Sequence, residues 1–159
     1  MRASKKRLVL RVVFTALSVA VAAAIFILSA EEADASSALS GSLSEMILSF
    51  FGFLKDLEGN ARLELISSFN GVLRSAAHMG VFFILAFFSA FMWEYWNLKK
   101  AWLAALISSF FYAVSDEIHQ IFVPGRAFQF TDVLLDLSGI SLAVLFFSLI
   151  FYLKRKKTK

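Results

Sequence analysis

Four stretches of this sequence are too long, too apolar and too poor in charge to be stable in water. Residues 12–30 and 75–93 each run nineteen residues without Lys, Arg, Asp or Glu, and residues 133–153 run twenty-one with a single acid, Asp136. At about 1.5 Å of rise per residue, each is long enough to cross a hydrocarbon core about 30 Å thick. The remaining run, 101–115, is fifteen residues, or about 22 Å of helix. It crosses only by drawing in part of the polar stretch 116–123, which places its end near residue 121. Composition agrees: 59% of residues are hydrophobic, 18% are charged, and nineteen are phenylalanine. A soluble core of this size cannot hide that many rings, whereas lipid can receive them. The expected fold is an all-α integral membrane protein, a four-transmembrane-helix bundle forming one domain over 1–159, with spans at about 12–30, 75–93, 101–121 and 133–153.

Charge orients the spans. Arg2, Lys5, Lys6, Arg7 and Arg11 precede the first, and Lys99 and Lys100 sit between the second and third. Lys154, Arg155, Lys156, Lys157 and Lys159 follow the fourth. With both termini in the cytoplasm, twelve of sixteen basic residues lie inside and only Lys55, Arg62, Arg74 and Arg126 lie outside, as the positive-inside rule requires. Eleven of twelve acids fall on the outer side, Glu94 being the exception. Trp93, Tyr95, Trp96 and Trp102 bracket the inner loop, and Tyr152 precedes the basic tail, forming an aromatic belt at the interface. The sequence pI of about 9.5 therefore reports juxtamembrane anchors, and no nucleic-acid partner is expected. The first run carries a basic n-region and a small-x-small site at Ala33-Asp34-Ala35, but it is longer than a signal-peptide core and reads as a retained anchor.

The one long connection, the outer loop 31–74, opens with Glu31, Glu32, Asp34, Ser36, Ser37 and Ser40, which read as a solvated linker. Leu43, Met46, Ile47, Phe50, Phe51 and Leu54 then recur at helical spacing, and Gly59-Asn60 interrupts them. A second stripe, Leu65, Ile66, Phe69 and Leu73, runs into the second span. Amphipathic helices are expected here, either lying in the headgroup plane or packing on the spans.

Chemistry-bearing residues gather at the outer ends of three spans. Ser115, Asp116, Glu117, His119 and Gln120 close the third; Pro124, Gly125 and Arg126 turn the chain; Asp132 and Asp136 open the fourth; and His78 enters the second at the same depth. Pro-Gly at the centre of a turn suits type II geometry. Asp132 is placed to cap the fourth helix, and Gly139 to admit a partner backbone. An acid at mid-membrane costs about 2.5–3.5 kcal/mol on insertion scales, so an ion-pair network joining Arg126 to Asp132, Asp136 or Glu117 is expected, with both histidines alongside. The competing reading is a set of helix caps in the wet headgroup layer.

Ser115 and His119, one turn apart, offer a nucleophile and base. His78, His119, Glu117 and Asp136 have the donor types of a zinc or manganese site, but no HExxH-like spacing supports one, so no metal is assigned. With no cysteine there are no disulfides or thiolate sites, and no nucleotide or phosphate-loop fingerprint marks a cofactor.

The block Ser-Asp-Glu-Ile-His-Gln-x-Phe-Val-Pro-Gly-Arg at 115–126, with Asp132-Val133 and Asp136-x-x-Gly139 after it, resembles the signature of the VanZ-like family. Arg74 and His78 match the basic residue and histidine that open the second span in that family. The acid and tyrosine that often follow are Val81 and Phe82 here. The resemblance implies a multi-pass protein of the bacterial plasma membrane with its motif facing outward. The founding member is associated with resistance to teicoplanin. No reaction, substrate or cofactor follows from the resemblance.

Three readings follow. The first is an envelope protein whose outer site binds a cell-wall precursor, lipid head group or glycopeptide. The second is a membrane-embedded hydrolase or transferase, and the third an assembly scaffold. Topology has its own test, made clean by the absence of native cysteine. A thiol reagent that cannot cross membranes should label Ser37→Cys in intact cells and label Thr158→Cys only after lysis.

Overall fold

A computed structural model describes residues 2–156. Lys157 and Lys159 of the basic tail lie outside the described residues. Among these the regular structure is all helix: α1 (Arg2–Ser29), α2 (Ala33–Phe50), α3 (Gly59–Tyr95), α4 (Ala101–Gln120) and α5 (Phe130–Lys156). Four of the helices, all but α2, are long and apolar enough to cross a membrane. The protein is thus a polytopic, all-α membrane bundle.

The third span reaches membrane length as expected, because α4 takes the polar residues 116–120 into its last turns. α3 is longer than any bilayer requires, thirty-seven residues or about 55 Å. It is the hub, packing on α1, α2, α4 and α5. The second amphipathic stripe is the first part of this one helix, and it carries α2 alongside. Ser44 Oγ lies 3.4 Å from Asn70 Oδ1, and Arg62 pairs with Glu45 at 2.8 Å.

The loop departs from expectation in two ways. Asp34, Ser36, Ser37 and Ser40 form the first turns of α2 rather than a solvated linker. The Ala33 amide donates to the Pro124 carbonyl at 3.3 Å, tying the start of α2 to the α4–α5 turn. α2 also ends at Phe50, and the break falls at Gly52, whose φ of 78° needs no side chain. The face of α2 against α3 is narrow, with Ser44 and Leu48 buried. Met46, Phe50, Phe51 and Phe53 stay exposed on the outside.

Burial in the bundle is inverted relative to a soluble protein. Val12, Val19, Ile27, Phe111, Leu145 and Leu149 face outward, while Gln120, Glu117 and Asp136 are almost wholly enclosed. Two apolar clusters occupy the interior, one around Phe82, Ala86, Ile140 and Ala143 and one around Ala90, Ala105 and Phe147. Small residues predominate where helices meet, because lipid supplies no hydrophobic drive between helices and close backbone contact has to replace it. Ala101, Ala105, Ser109 and Ala113 recur every fourth residue on α4 and are all buried. At the other end of the bundle, Arg11 Nε donates to the Tyr95 carbonyl at 2.6 Å and lies over the Trp96 ring. Trp96 Nε1 donates to Thr15 Oγ1 at 3.1 Å.

Gly139 makes the closest approach, where α5 crosses α3. A Cβ there would overlap the Met79 carbonyl oxygen and come 2.9 Å from its carbon. Gly139→Ala should therefore cost about 1–3 kcal/mol by overpacking, seen as a lower unfolding temperature in detergent. Gly80→Ala, whose Cβ would meet nothing within 4 Å, should be neutral or mildly stabilising.

Candidate functional site

Three helices bring i, i+4 pairs to one end of the bundle: Arg74 and His78 on α3, Asp116 and Gln120 on α4, and Asp132 and Asp136 on α5. Helical spacing puts each pair on one face, and α1 ends at the same level with Ser29. The groups divide into two networks.

The first lies between α1, α4 and the α4–α5 turn. Ser29 Oγ donates to Asp116 Oδ1 at 2.6 Å, and Gln120 Nε2 donates to Asp116 Oδ2 at 3.4 Å. Arg126 reaches back across the turn, with Nη1 donating to Gln120 Oε1 at 3.3 Å and Nε to the Glu31 carbonyl at 2.9 Å. The turn is the expected one. The Arg126 amide closes on the Val123 carbonyl at 3.1 Å, and Gly125 takes φ 75°, as the third position of a type II turn requires. Burial, and then the like charge of Arg74, pull the Arg126 pKa below the ordinary guanidinium value. Two cations thus repel each other across this end of the bundle.

The second network lies between α3, α4 and α5. His78 Nδ1 is 3.1 Å from Asp136 Oδ1, and Nε2 is 3.7 Å from Asp132 Oδ2. Arg74 stands 3.8 Å from the same Asp132 oxygen. Glu117 Oε2 accepts the Gln129 backbone amide at 3.0 Å, just ahead of the positive N-terminus of α5. Glu117 Oε1, Asp132 Oδ2 and Asp136 Oδ2 are buried with no hydrogen-bond partner.

Several expected partnerships take another form. Arg126 pairs with none of Asp132, Asp136 or Glu117; its side-chain bonds go to a carbonyl and an amide oxygen, because it lies on the α1 side of α4 and those acids on the other. The basic partners of Asp132 and Asp136 are His78 and Arg74, while Glu117 accepts the Gln129 amide. Asp132 is not the cap of α5 but sits in its first turn, since the helix begins at Phe130. Ser115 and His119 share no hydrogen bond. Ser115 is exposed and donates to the Tyr112 carbonyl at 2.7 Å, while the His119 ring stacks on Phe26 with centroids 4.5 Å apart. His119 therefore stands apart from the other candidate metal donors: among the described residues, His78, Glu117 and Asp136 form the group whose ligand atoms lie within 4.8 Å of one another.

Pro124 and Gly125 act through the turn, and Gly139 through the close crossing one turn below Asp136. Ser29, the Glu31 carbonyl and Gln129 were not anticipated. Ser29 alone had a signal, a hydroxyl at the end of the first span level with Asp116.

A cavity of about 270 Å³ opens beneath α2 over these networks. Ile25, Leu28, Leu43, Val81 and Phe82 give it apolar walls; Arg74, His78, Asp116, Gln120 and Arg126 give it a polar end.

A membrane bundle with an amphipathic cavity and a buried polar layer at one end is the class of protein that fold and site define. The family model described as VanZ/LLP1 matches residues 14–152. The chain belongs to the VanZ/LLP1 family. No curated protein and no solved structure matches it.

The first network predicts a contrast between two serines. Ser29→Ala leaves Asp116 short of a buried donor and should cost about 1–3 kcal/mol. Ser115→Ala should stay within about 0.5 kcal/mol of wild type, both read from thermal unfolding in matched detergent.

Proposed function

We propose that this chain is a single-domain VanZ-like protein of the bacterial plasma membrane. Both termini lie in the cytoplasm, and the cavity beneath α2 receives the anionic head group of a cell-surface amphiphile such as a lipid or a lipid-linked cell-wall precursor. The observation that carries this reading is the cavity's lining, which pairs apolar walls with two guanidinium groups, Arg74 and Arg126. An acyl chain suits the first and a phosphate or carboxylate the second. Arg126 is held in place by two side-chain donations, so its remaining N–H groups are pre-aimed. Membership of the VanZ/LLP1 family supports a role in the envelope, and sequestering such an amphiphile is a route by which glycopeptide susceptibility, to teicoplanin above all, would change. The hydrolase or transferase reading is weaker because Ser115 and His119 make no nucleophile–base pair.

The test is teicoplanin susceptibility of a host expressing wild type, Arg126→Lys or Ser138→Ala at equal membrane abundance. Lysine cannot hold both oxygens and still present a donor fork. Loss of a charge-assisted hydrogen bond, about 1.5–3 kcal/mol, should weaken ligand capture tenfold or more and remove protection. Ser138→Ala, exposed on α5 and bonded only to its own helix, should protect like wild type. Protection kept by Arg126→Lys would contradict the reading.

A further inference from the structure

The second network contains more than the anion reading uses. Glu117 and Asp136 are wholly buried, yet each keeps one carboxylate oxygen with no hydrogen-bond partner. Carboxylate oxygens left bare in a low-dielectric interior are costly, and no hydrogen bond reaches these two from the first network. We propose that His78, Glu117 and Asp136 form a binding site for one divalent cation of the manganese–zinc class.

Geometry, donor chemistry and charge each support it. One ligand atom from each residue lies within 4.8 Å of the other two. Two ligands on one cation at about 2.0–2.2 Å stand at most about 4.4 Å apart, so small side-chain shifts close the site. The donors are one imidazole nitrogen and two carboxylate oxygens, a mixed set that suits manganese or zinc; magnesium and calcium favour oxygen alone. Two carboxylates and a neutral imidazole sum to zero with a dication, which removes the penalty of the buried charges. Asp132, 3.7 Å from His78 Nε2, has Arg74 at 3.8 Å as its counter-charge and serves as an outer partner that orients the ring. Three helices supply the ligands, so the ion would bind α3, α4 and α5 together. His78 also lines the cavity, which leaves open coordination positions facing any occupant.

The site rests on residues other than Arg126, so it can fail or hold independently of the anion reading. The test uses the full chain, purified into nanodiscs, stripped with chelator and reloaded separately with Mn²⁺, Zn²⁺ or Mg²⁺. Metal is then counted by mass spectrometry after desalting. Wild type should retain about one equivalent of manganese or zinc per chain and no magnesium. Manganese-loaded protein should show nitrogen coupling in pulsed electron paramagnetic resonance that His78→Gln abolishes. Glu117→Gln, which keeps side-chain volume, should bind at least about tenfold more weakly; Asp136→Asn is the second reading if either variant folds poorly. Ser138→Ala, exposed and bonded only to its own helix, should retain metal like wild type. A wild type that retains neither manganese nor zinc, or a folded Glu117→Gln that binds as tightly as wild type, overturns the proposal.

Discussion

Everything at the cavity end of this bundle depends on the burial of Glu117 and Asp136. Both side chains are completely enclosed within helices long and apolar enough to span a membrane. A single acid at mid-membrane costs about 2.5–3.5 kcal/mol on insertion scales, less near an interface. The surrounding structure supplies the compensation: His78 from α3, the Gln129 amide just ahead of α5, and Arg74 through Asp132. Those partners set the rotation of three helices about their axes. Gly139 then lets α5 approach α3 closely enough for His78 and Asp136 to meet at 3.1 Å.

The two networks have different surroundings. That of Ser29, Asp116, Gln120 and Arg126 is a chain of hydrogen bonds beside the cavity, ending in a guanidinium whose Nε and Nη1 are already engaged. That of His78, Glu117, Asp132 and Asp136 is rich in acceptors and short of donors. Excess acceptors suit a cation, and a pre-aimed guanidinium suits an anion. His78 and Asp116 line the same cavity, so both halves border one space.

Much of this was legible in the sequence, because the bilayer constrains it strongly. Charge-free length set the spans, and the need for about 30 Å required the third to absorb residues 116–120. Pro124-Gly125 announced its turn through the left-handed φ of Gly125, and Gly139 announced a close crossing. The partner of Arg126 was not legible. Which acids face which helix depends on inter-helix rotation, to which the buried ridge Ala101, Ala105, Ser109 and Ala113 contributes alongside the polar partners, and that effect appears only once the helices are docked. The start of α2 was missed for a similar reason. Its serines and acids look like linker until the Pro124 carbonyl and the face of α3 give them somewhere to pack. Ser115 and His119 show the opposite error, a plausible pair by spacing whose side chains point to different neighbours.

The central claim is that the cavity end holds an anionic amphiphile by Arg74 and Arg126. Native mass spectrometry of the full chain released from bacterial membranes tests it most directly. The account predicts one bound species of lipid mass that survives delipidation of the bundle surface and disappears in Arg74→Ala/Arg126→Ala. Bare wild-type protein, or an adduct that the double variant retains equally, would contradict it.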